Sequence, residues 1–278
     1  MKRKLLIFFY GSYMNLLALF NPAKAGEIGF YLFCRPRRRE VKPHHLEFLD
    51  TAEKSEIIYA NKKVQLYEWG NGPRQLLLLH GWESHSYWWK RMVTRLLKEN
   101  QYTIFSVDAP GHGLSEGSYV NIVHYSGLIE QLLSEKGAMH ALLGHSLGAV
   151  SSAFTLHRLP NLPVDKLVLM APPGEVTQFV QYYKALLGLS DRTMDAIEKL
   201  FVEKLGHGSS YFSLKAFVSN IQQDGLIIHD KDDKEAPYAH AVEANKNWQR
   251  SRLITTNGLG HNLKSDELVE DVVTFLRN

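Results

Sequence analysis

Gly144-His145-Ser146-Leu147-Gly148 stands between the apolar run Ala141-Leu142-Leu143 and the helix-like run Ala149-Val150-Ser151-Ser152-Ala153-Phe154. A glycine two positions to either side of a serine is what a sharp strand-to-helix elbow requires. A side chain at Gly144 or Gly148 would collide with the neighbouring strand or helix. The serine at the tip takes a strained backbone conformation, and its hydroxyl stands at the top of a sheet within reach of a substrate carbonyl. Five residues alone match by chance often, so the weight lies in the flanks, where a buried strand enters and a helix leaves. Ser146 is the candidate nucleophile.

Outward from this elbow, apolar runs alternate with amphipathic stretches from residue 46 on, the pattern of a mostly parallel sheet covered by helices. Short strands are expected over 57–59 and 64–69. Leu76-Leu77-Leu78-Leu79 is apolar on both faces and reads as a central strand. A helix over 86–99, a strand over 103–107, a helix over 121–136, the elbow strand over 141–143, its helix over 148–157 and a strand over 166–170 follow. The alternation then stops. Helices over 176–187 and 191–205, the second closed by Gly206, occupy the stretch to about Asn220. Strands over 226–228 and 253–255 and helices over 237–248 and 265–276 complete the chain. The fold class is therefore α/β, with a mostly parallel central sheet flanked by helices and a helical cap, at about 173–222, inserted before the last two strands. Such an insertion reads as a lid over the site. Its aromatics Phe179, Tyr182, Tyr183 and Phe201 are candidates for the wall of an acyl or alcohol pocket. The competing reading is that they pack the lid.

Three further motifs fall where a serine hydrolase needs them. His80-Gly81-Trp82 ends the central strand, and a glycine there lets the next backbone N–H swing toward the nucleophile. The N–H groups of Trp82 and Leu147 are the candidate oxyanion hole, and such donors supply roughly 3–4 kcal/mol each to a tetrahedral transition state. His80 reads as structural. After a late strand, His229-Asp230-Lys231-Asp232-Asp233-Lys234-Glu235-Ala236-Pro237 offers three aspartates for the acid. Asp233, four residues before Pro237, is favoured, with Asp232, Asp230 and the more distant Glu175 still open. Asn257-Gly258-Leu259-Gly260-His261 then presents a histidine in a glycine-rich loop before the last helix. His261 would take the Ser146 proton while the acid fixes its tautomer.

The order Ser146, Asp233, His261 resembles that of the α/β-hydrolase superfamily, and the resemblance spans roughly 52–278. Asp108-Ala109-Pro110-Gly111-His112-Gly113-Leu114-Ser115 is similar to the loop after the superfamily's fourth strand, which implies a structural His112. The acid segment resembles His-Gly-x-x-Asp, with Asp230 in the glycine's position, and counting along that pattern again selects Asp233. The resemblance implies a serine esterase or lipase-like enzyme that forms an acyl-enzyme, with no metal or organic cofactor and a small-molecule ester or acyl substrate. Thioesterase, amidase and carbon–carbon bond hydrolase chemistry on the same triad stay open, as does a non-catalytic receptor of the same fold.

Composition suits an ordinary globular domain: 278 residues, 45% hydrophobic, with a net charge of +3. The charge is unevenly placed. Residues 1–45 hold nine Lys and Arg against Glu27 and Glu40, or +7, which leaves about −4 for 46–278 and argues against a nucleic-acid partner. The single cysteine, Cys34, excludes an intrachain disulfide. Residues 1–45 form a basic, apolar leader with three open readings. Met1-Lys2-Arg3-Lys4, an apolar stretch to Phe20 and Ala23-Lys24-Ala25 mimic a cleaved secretory signal, which would send the protein to the periplasm or outside. Gly11, Ser12 and Asn15 interrupt that stretch, which favours a retained helix that is docked on the domain or lies at a membrane surface, aided by the cluster Arg35-Pro36-Arg37-Arg38-Arg39. The last stretch, from Phe30 to Arg39, resembles the leader of some bacterial members of the superfamily, which implies retention. The expected location is cytoplasmic, with peripheral contact at the inner membrane face.

Overall fold

A computed structural model describes residues 2–278, and the side chains from Leu6 onward. The side chains of the basic start Met1-Lys2-Arg3-Lys4 lie outside the described residues. Eight strands form one sheet: β1 Glu53–Tyr59, β2 Lys62–Trp69, β3 Arg74–Leu79, β4 Tyr102–Val107, β5 Met139–His145, β6 Val164–Met170, β7 Asp224–Asp230 and β8 Ser251–Thr256. The helices are α1 Lys2–Phe20, α2 Pro22–Phe33, α3 Pro43–Leu49, α4 Lys90–Leu97, α5 Ile122–Lys136, α6 Leu147–Arg158, α7 Val176–Leu187, α8 Asp191–Leu205, α9 Leu214–Val218, α10 Tyr238–Asn247 and α11 Asp266–Arg277.

Two compact units share the chain. One is Pro36–Gly174 with Leu214–Asn278, and the other is Met1–Arg35 with Glu175–Ser213. The first unit is an α/β hydrolase fold. Its strands lie in the order β1-β2-β4-β3-β5-β6-β7-β8. Only β1 with β2 and β2 with β4 pair antiparallel; every other pairing is parallel. β3 sits inside the sheet between β4 and β5, and Leu76 to Leu79 are buried because both faces are covered. The exposed edge strand β1 carries Glu53, Lys54 and Glu56, charges that discourage pairing with another chain. From β3 the chain goes to β4 on one side and β5 on the other. A crevice forms at such a reversal beyond the carboxyl ends of the strands, and there the site loops emerge.

Local chemistry sets the helix ends. The Asn121 side chain accepts the His124 N–H at 2.8 Å to start α5, and Gly206, with φ of 80°, closes α8. α11 buries Leu268, Val269, Val272, Val273 and Leu276, one face at helical spacing. The stretch read as one helix over 86–99 opens as a 3₁₀ turn, Ser86–Trp89, before α4.

The second unit consists of α1, α2, α7 and α8. Gly11, Gly26 and Gly29 let its helices approach closely. A Cβ on Gly26 would stand 2.4 Å from the Ala196 carbonyl oxygen, and one on Gly29 would stand 2.5 Å from Ile197 Cδ1. Leader and insertion, separate segments in the sequence, are thus one helical unit, and their limits differ from 1–45 and 173–222. The leader's unit ends at Arg35 because residues 36–49 belong to the α/β unit, where Phe48 stacks on Trp69 at 5.4 Å. The insertion's unit ends at Ser213 because α9 packs there too, with Phe217 5.0 Å from Phe154.

Candidate active site

β5 delivers Ser146 to the first turn of α6 with φ of 51° and ψ of −117°. A non-glycine residue in such a conformation costs roughly 1–3 kcal/mol and persists only where its surroundings fix it. The two flanking glycines do so by allowing close packing. A Cβ on Gly144 would lie 2.5 Å from Ala149 Cα, and one on Gly148 would lie 2.2 Å from the Leu79 carbonyl oxygen. The Ser146 N–H donates to Met170 O at 2.9 Å, which ties the elbow to β6.

His261 Nε2 lies 2.9 Å from Ser146 Oγ, and its Nδ1 lies 2.8 Å from Asp233 Oδ2. The carboxylate can only accept, so Nδ1 carries the proton and Nε2 offers its lone pair to the serine hydroxyl. Asp233 Oδ1 accepts the Glu235 and Ala236 N–H groups at 2.8 and 2.9 Å. The fully buried His229 shares its Nε2–H between Ala236 O, at 2.8 Å, and Asp233 Oδ2, at 3.2 Å. Burial pushes the Asp233 carboxyl up, but the donors on it, His229 and His261 foremost, outweigh burial and hold it well below the usual carboxylate range.

The loop after β3 runs beside the elbow. A Cβ on Gly81 would stand 2.8 Å from Ser146 Cβ, so only glycine brings the next peptide this near Ser146. The Trp82 N–H has no hydrogen-bond acceptor among the described residues. Leu147 opens α6, where the first N–H groups have no partner within the helix. His80 and His112 are buried scaffolding. His80 accepts the Ala109 N–H at 2.9 Å and donates from Nδ1 to Gly81 O at 2.8 Å. His112 accepts the Glu83 N–H at 3.0 Å and donates to Pro110 O at 3.1 Å. Burial pushes each imidazole down to about 3, so both stay neutral.

Three supports escape a reading of the sequence. His145, inside the pentapeptide, donates from Nε2 to His261 O at 2.9 Å and stacks on Trp88 at 4.2 Å. Burial pushes its imidazole down to about 3. Asp230 is no solvated charge: buried, it accepts the Thr256 hydroxyl at 2.6 Å and the Leu259 N–H at 3.0 Å. Exposed Asp232 takes the Gly258 N–H at 2.9 Å. All three aspartates of the acid loop therefore hold the His261 loop, and only Asp233 holds its imidazole. A count of three aspartates signalled the competition but not this division. Glu175 accepts from Ser213 Oγ at 2.7 Å.

The aromatics of the insertion divide. Phe201 is 2% exposed and meets Phe30 at 5.3 Å and Phe33 at 5.7 Å. Tyr183 donates its hydroxyl to Gly29 O at 3.0 Å and sets its ring edge-on to Phe33. α2 therefore takes up both rings, and packing within the helical unit accounts for them. Phe179 and Tyr182 are exposed.

The serine aminopeptidase S33 family matches residues 72–273, a span that holds the elbow, Asp233 and His261. The chain belongs to this family. Among curated relatives of this S33-family chain, the pimeloyl-[acyl-carrier protein] methyl ester esterase of Proteus mirabilis (strain HI4320) is 35% identical over 105 residues, 37% of this chain and 39% of that protein. The bifunctional esterase/perhydrolase DCH of Acinetobacter calcoaceticus is 33% identical over 112 residues, 37% of this chain and 40% of that protein. The chain thus spans about two fifths of the length of the curated relatives it matches. Its fold is also that of an esterase from Exiguobacterium antarcticum, with a TM-score of 0.64 at 19% identity over 81% of this chain and 100% of the other. The ferulic-acid-bound Est1E from Butyrivibrio proteoclasticus has a TM-score of 0.64 at 18% identity, over 80% and 98%.

Proposed function

We propose that the chain is a carboxylic-ester hydrolase that works through an acyl-enzyme on Ser146. The observation that carries this reading is the single imidazole of His261 bridging Ser146 Oγ and Asp233 Oδ2 at 2.9 and 2.8 Å. His261 Nε2 takes the hydroxyl proton as Ser146 Oγ attacks the ester carbonyl. The tetrahedral oxyanion receives the N–H groups of Trp82 and Leu147. Collapse breaks the bond to the alcohol, which leaves with the proton from His261. Water then gives a proton to His261, attacks the acyl carbon and releases the acid, and Ser146 Oγ recovers its proton.

The family's description names an aminopeptidase, whereas the similar curated proteins named above are esterases. Those names favour an ester of a small alcohol on an acyl chain over an aminoacyl amide. Fluorophosphonate labelling with panels of methyl esters, p-nitrophenyl esters and aminoacyl anilides tests this. Labelling and ester turnover are expected, with Ser146→Ala losing the label and about 10⁴-fold or more in turnover. Faster cleavage of the anilides would overturn the ester reading.

A second proposal is a retained leader in the cytoplasm with peripheral contact at a lipid surface. No described helix is long and apolar enough to cross a membrane. Yet α1 exposes Leu6, Phe9, Tyr13, Leu16 and Phe20, the last at 82%, and the sequence carries no charged residue from 5 to 23. Lys2-Arg3-Lys4 precede this stripe, as an interfacial helix on anionic lipid requires. The arginine cluster adds less than its charge suggests, because Arg37 is paired with Glu83 and Arg38 donates to Ser115 O. Flotation with anionic vesicles is expected for the full chain and not for Phe9→Ser/Leu16→Ser/Phe20→Ser. Equal flotation of both would remove α1 as the contact.

A further inference from the structure

Glu83 follows Trp82 and is one of the few non-glycine residues in the left-handed region, with φ of 50°. For a residue that carries a Cβ this conformation is strained, so it needs a restraint from outside. Two restraints are present, one on each end of the residue. His112 Nε2 accepts the backbone N–H at 3.0 Å. Arg37 closes on the carboxylate from the other side: its backbone N–H reaches Oε1 at 3.0 Å, Nε reaches Oε1 and Oε2 at 2.9 and 3.2 Å, and Nη2 reaches Oε2 at 2.8 Å. Arg39 stands at 4.0 Å.

The asymmetry of the pair is informative. The Glu83 side chain is 10% exposed, whereas that of Arg37 is 71% exposed. Burial raises the carboxyl, and the Arg37 fork more than reverses this, so Glu83 stays ionised below the usual carboxylate range. A planar guanidinium on two carboxylate oxygens fixes direction as well as charge, which an ammonium cannot do. The pair is open to solvent on the Arg37 side and closed on the Glu83 side. Its effect here falls on the geometry of one turn, whose preceding peptide carries the unpartnered Trp82 N–H beside Ser146.

We propose that Arg37, through Glu83, is a positioning residue for the oxyanion hole, so that the segment opening the α/β unit at Pro36 is part of the ester-cleaving site. This rests on the reading of the Trp82 N–H as an oxyanion donor. Released from Arg37, Glu83 relaxes toward ordinary backbone angles and the Trp82 N–H turns from the position where the oxyanion develops. Displacements of about 1 Å in such groups cost up to about 100-fold in rate. The loss falls on transition-state stabilisation and not on ground-state binding.

The test uses the full chain with Arg37→Ala, Arg37→Lys, Glu83→Gln and the double variant Arg37→Ala/Glu83→Gln, on a p-nitrophenyl ester and with an alkyl boronic acid that mimics the tetrahedral intermediate. Arg37→Ala is expected to lower kcat about 10- to 100-fold with KM within about twofold, and to weaken the boronic acid by the same factor. Arg37→Lys should recover only part of this, and the double variant should lose no more than the worse single one. Arg37→Ala leaves the Glu83 carboxylate buried without its partner, so kinetics are compared well below each variant's thermal midpoint. An Arg37→Ala enzyme with wild-type kcat and boronic-acid affinity, a loss confined to KM, or additive single losses would each overturn the proposal. If wild type itself fails to label with a fluorophosphonate at Ser146, the hydrolase reading fails instead, and the two failures are distinguishable.

Discussion

Gly81 approaches Ser146 so closely that a Cβ on Gly81 would stand 2.8 Å from the Cβ of Ser146 and 2.8 Å from His145 Nδ1. Both neighbours are fixed, Ser146 by its elbow and His145 by its bond to His261 O. The added methyl must therefore push the Trp82 peptide outward. Gly81→Ala is expected to retain fluorophosphonate labelling at a reduced rate and to lose about 10- to 100-fold in ester kcat. Stopped-flow measurement of the acylation burst checks this, and an unchanged burst rate would mean that the loop has room to move.

The acid loop yields a graded series. Asp233→Asn should cost about 10⁴-fold in turnover, because an amide can stabilise the wrong imidazole tautomer and cannot balance the imidazolium. Asp230→Asn should destabilise the fold by about 1–3 kcal/mol, since it unsettles a buried acceptor of the Thr256 hydroxyl and the Leu259 N–H. It should also slow turnover by about tenfold through the His261 loop. Exposed Asp232→Asn should cost under about tenfold, at the level of a surface bond worth ~1 kcal/mol. Kinetics beside urea titrations separate the three. A larger turnover loss in Asp232→Asn than in Asp233→Asn would reassign the acid.

Acid sensitivity follows from the same carboxylate. The folded state holds Asp233 below the ~3.9 of an unfolded aspartate. Its contribution to stability is therefore complete above about pH 4 and is lost as pH falls further, toward its folded value. The stability gap between wild type and Asp233→Asn should be widest near neutral pH and should narrow below about pH 4. Urea midpoints across pH 3–7 measure the gap. A gap that widens on acidification would mean that the buried carboxylate is not favoured by its donors.

Patterns local in sequence made the strands, the elbow and the His261 loop legible. Leu76 to Leu79 read as a strand covered on both faces, and Gly144 and Gly148, with a strand before and a helix after, as the flanks of a tight crossing. The order of Ser146, Asp233 and His261 after β5, β7 and β8 then favoured these three side chains, with Asp232 and Asp230 still open as the acid. Arg37 with Glu83 was not legible, because 46 residues separate them and a cluster of arginines does not tell which acid each one meets. The +7 leader invited a single electrostatic reading, yet Arg37 and Arg38 point to Glu83 and Ser115. The same limit applies to α2. Its Ala23-Lys24-Ala25 imitates a cleavage site, while Ala25 and Gly26 are buried in helix packing that only the distant Ala196 reveals.

Phe201 separates a packing residue from a pocket residue. At 2% exposure it packs against Phe30 and Phe33, and truncation there opens a cavity. Phe201→Ala is expected to cost about 3–5 kcal/mol within the helical unit. Two compact units need not unfold together, so the loss should be read locally, as faster amide exchange in α2 and α8 with β3 and β5 unchanged. KM across p-nitrophenyl esters of increasing acyl length should keep its wild-type order. Tyr182→Ala, at an exposed position, should leave amide exchange unaltered. A change of acyl-length preference in Phe201→Ala without faster exchange in α2 would return this ring to the substrate.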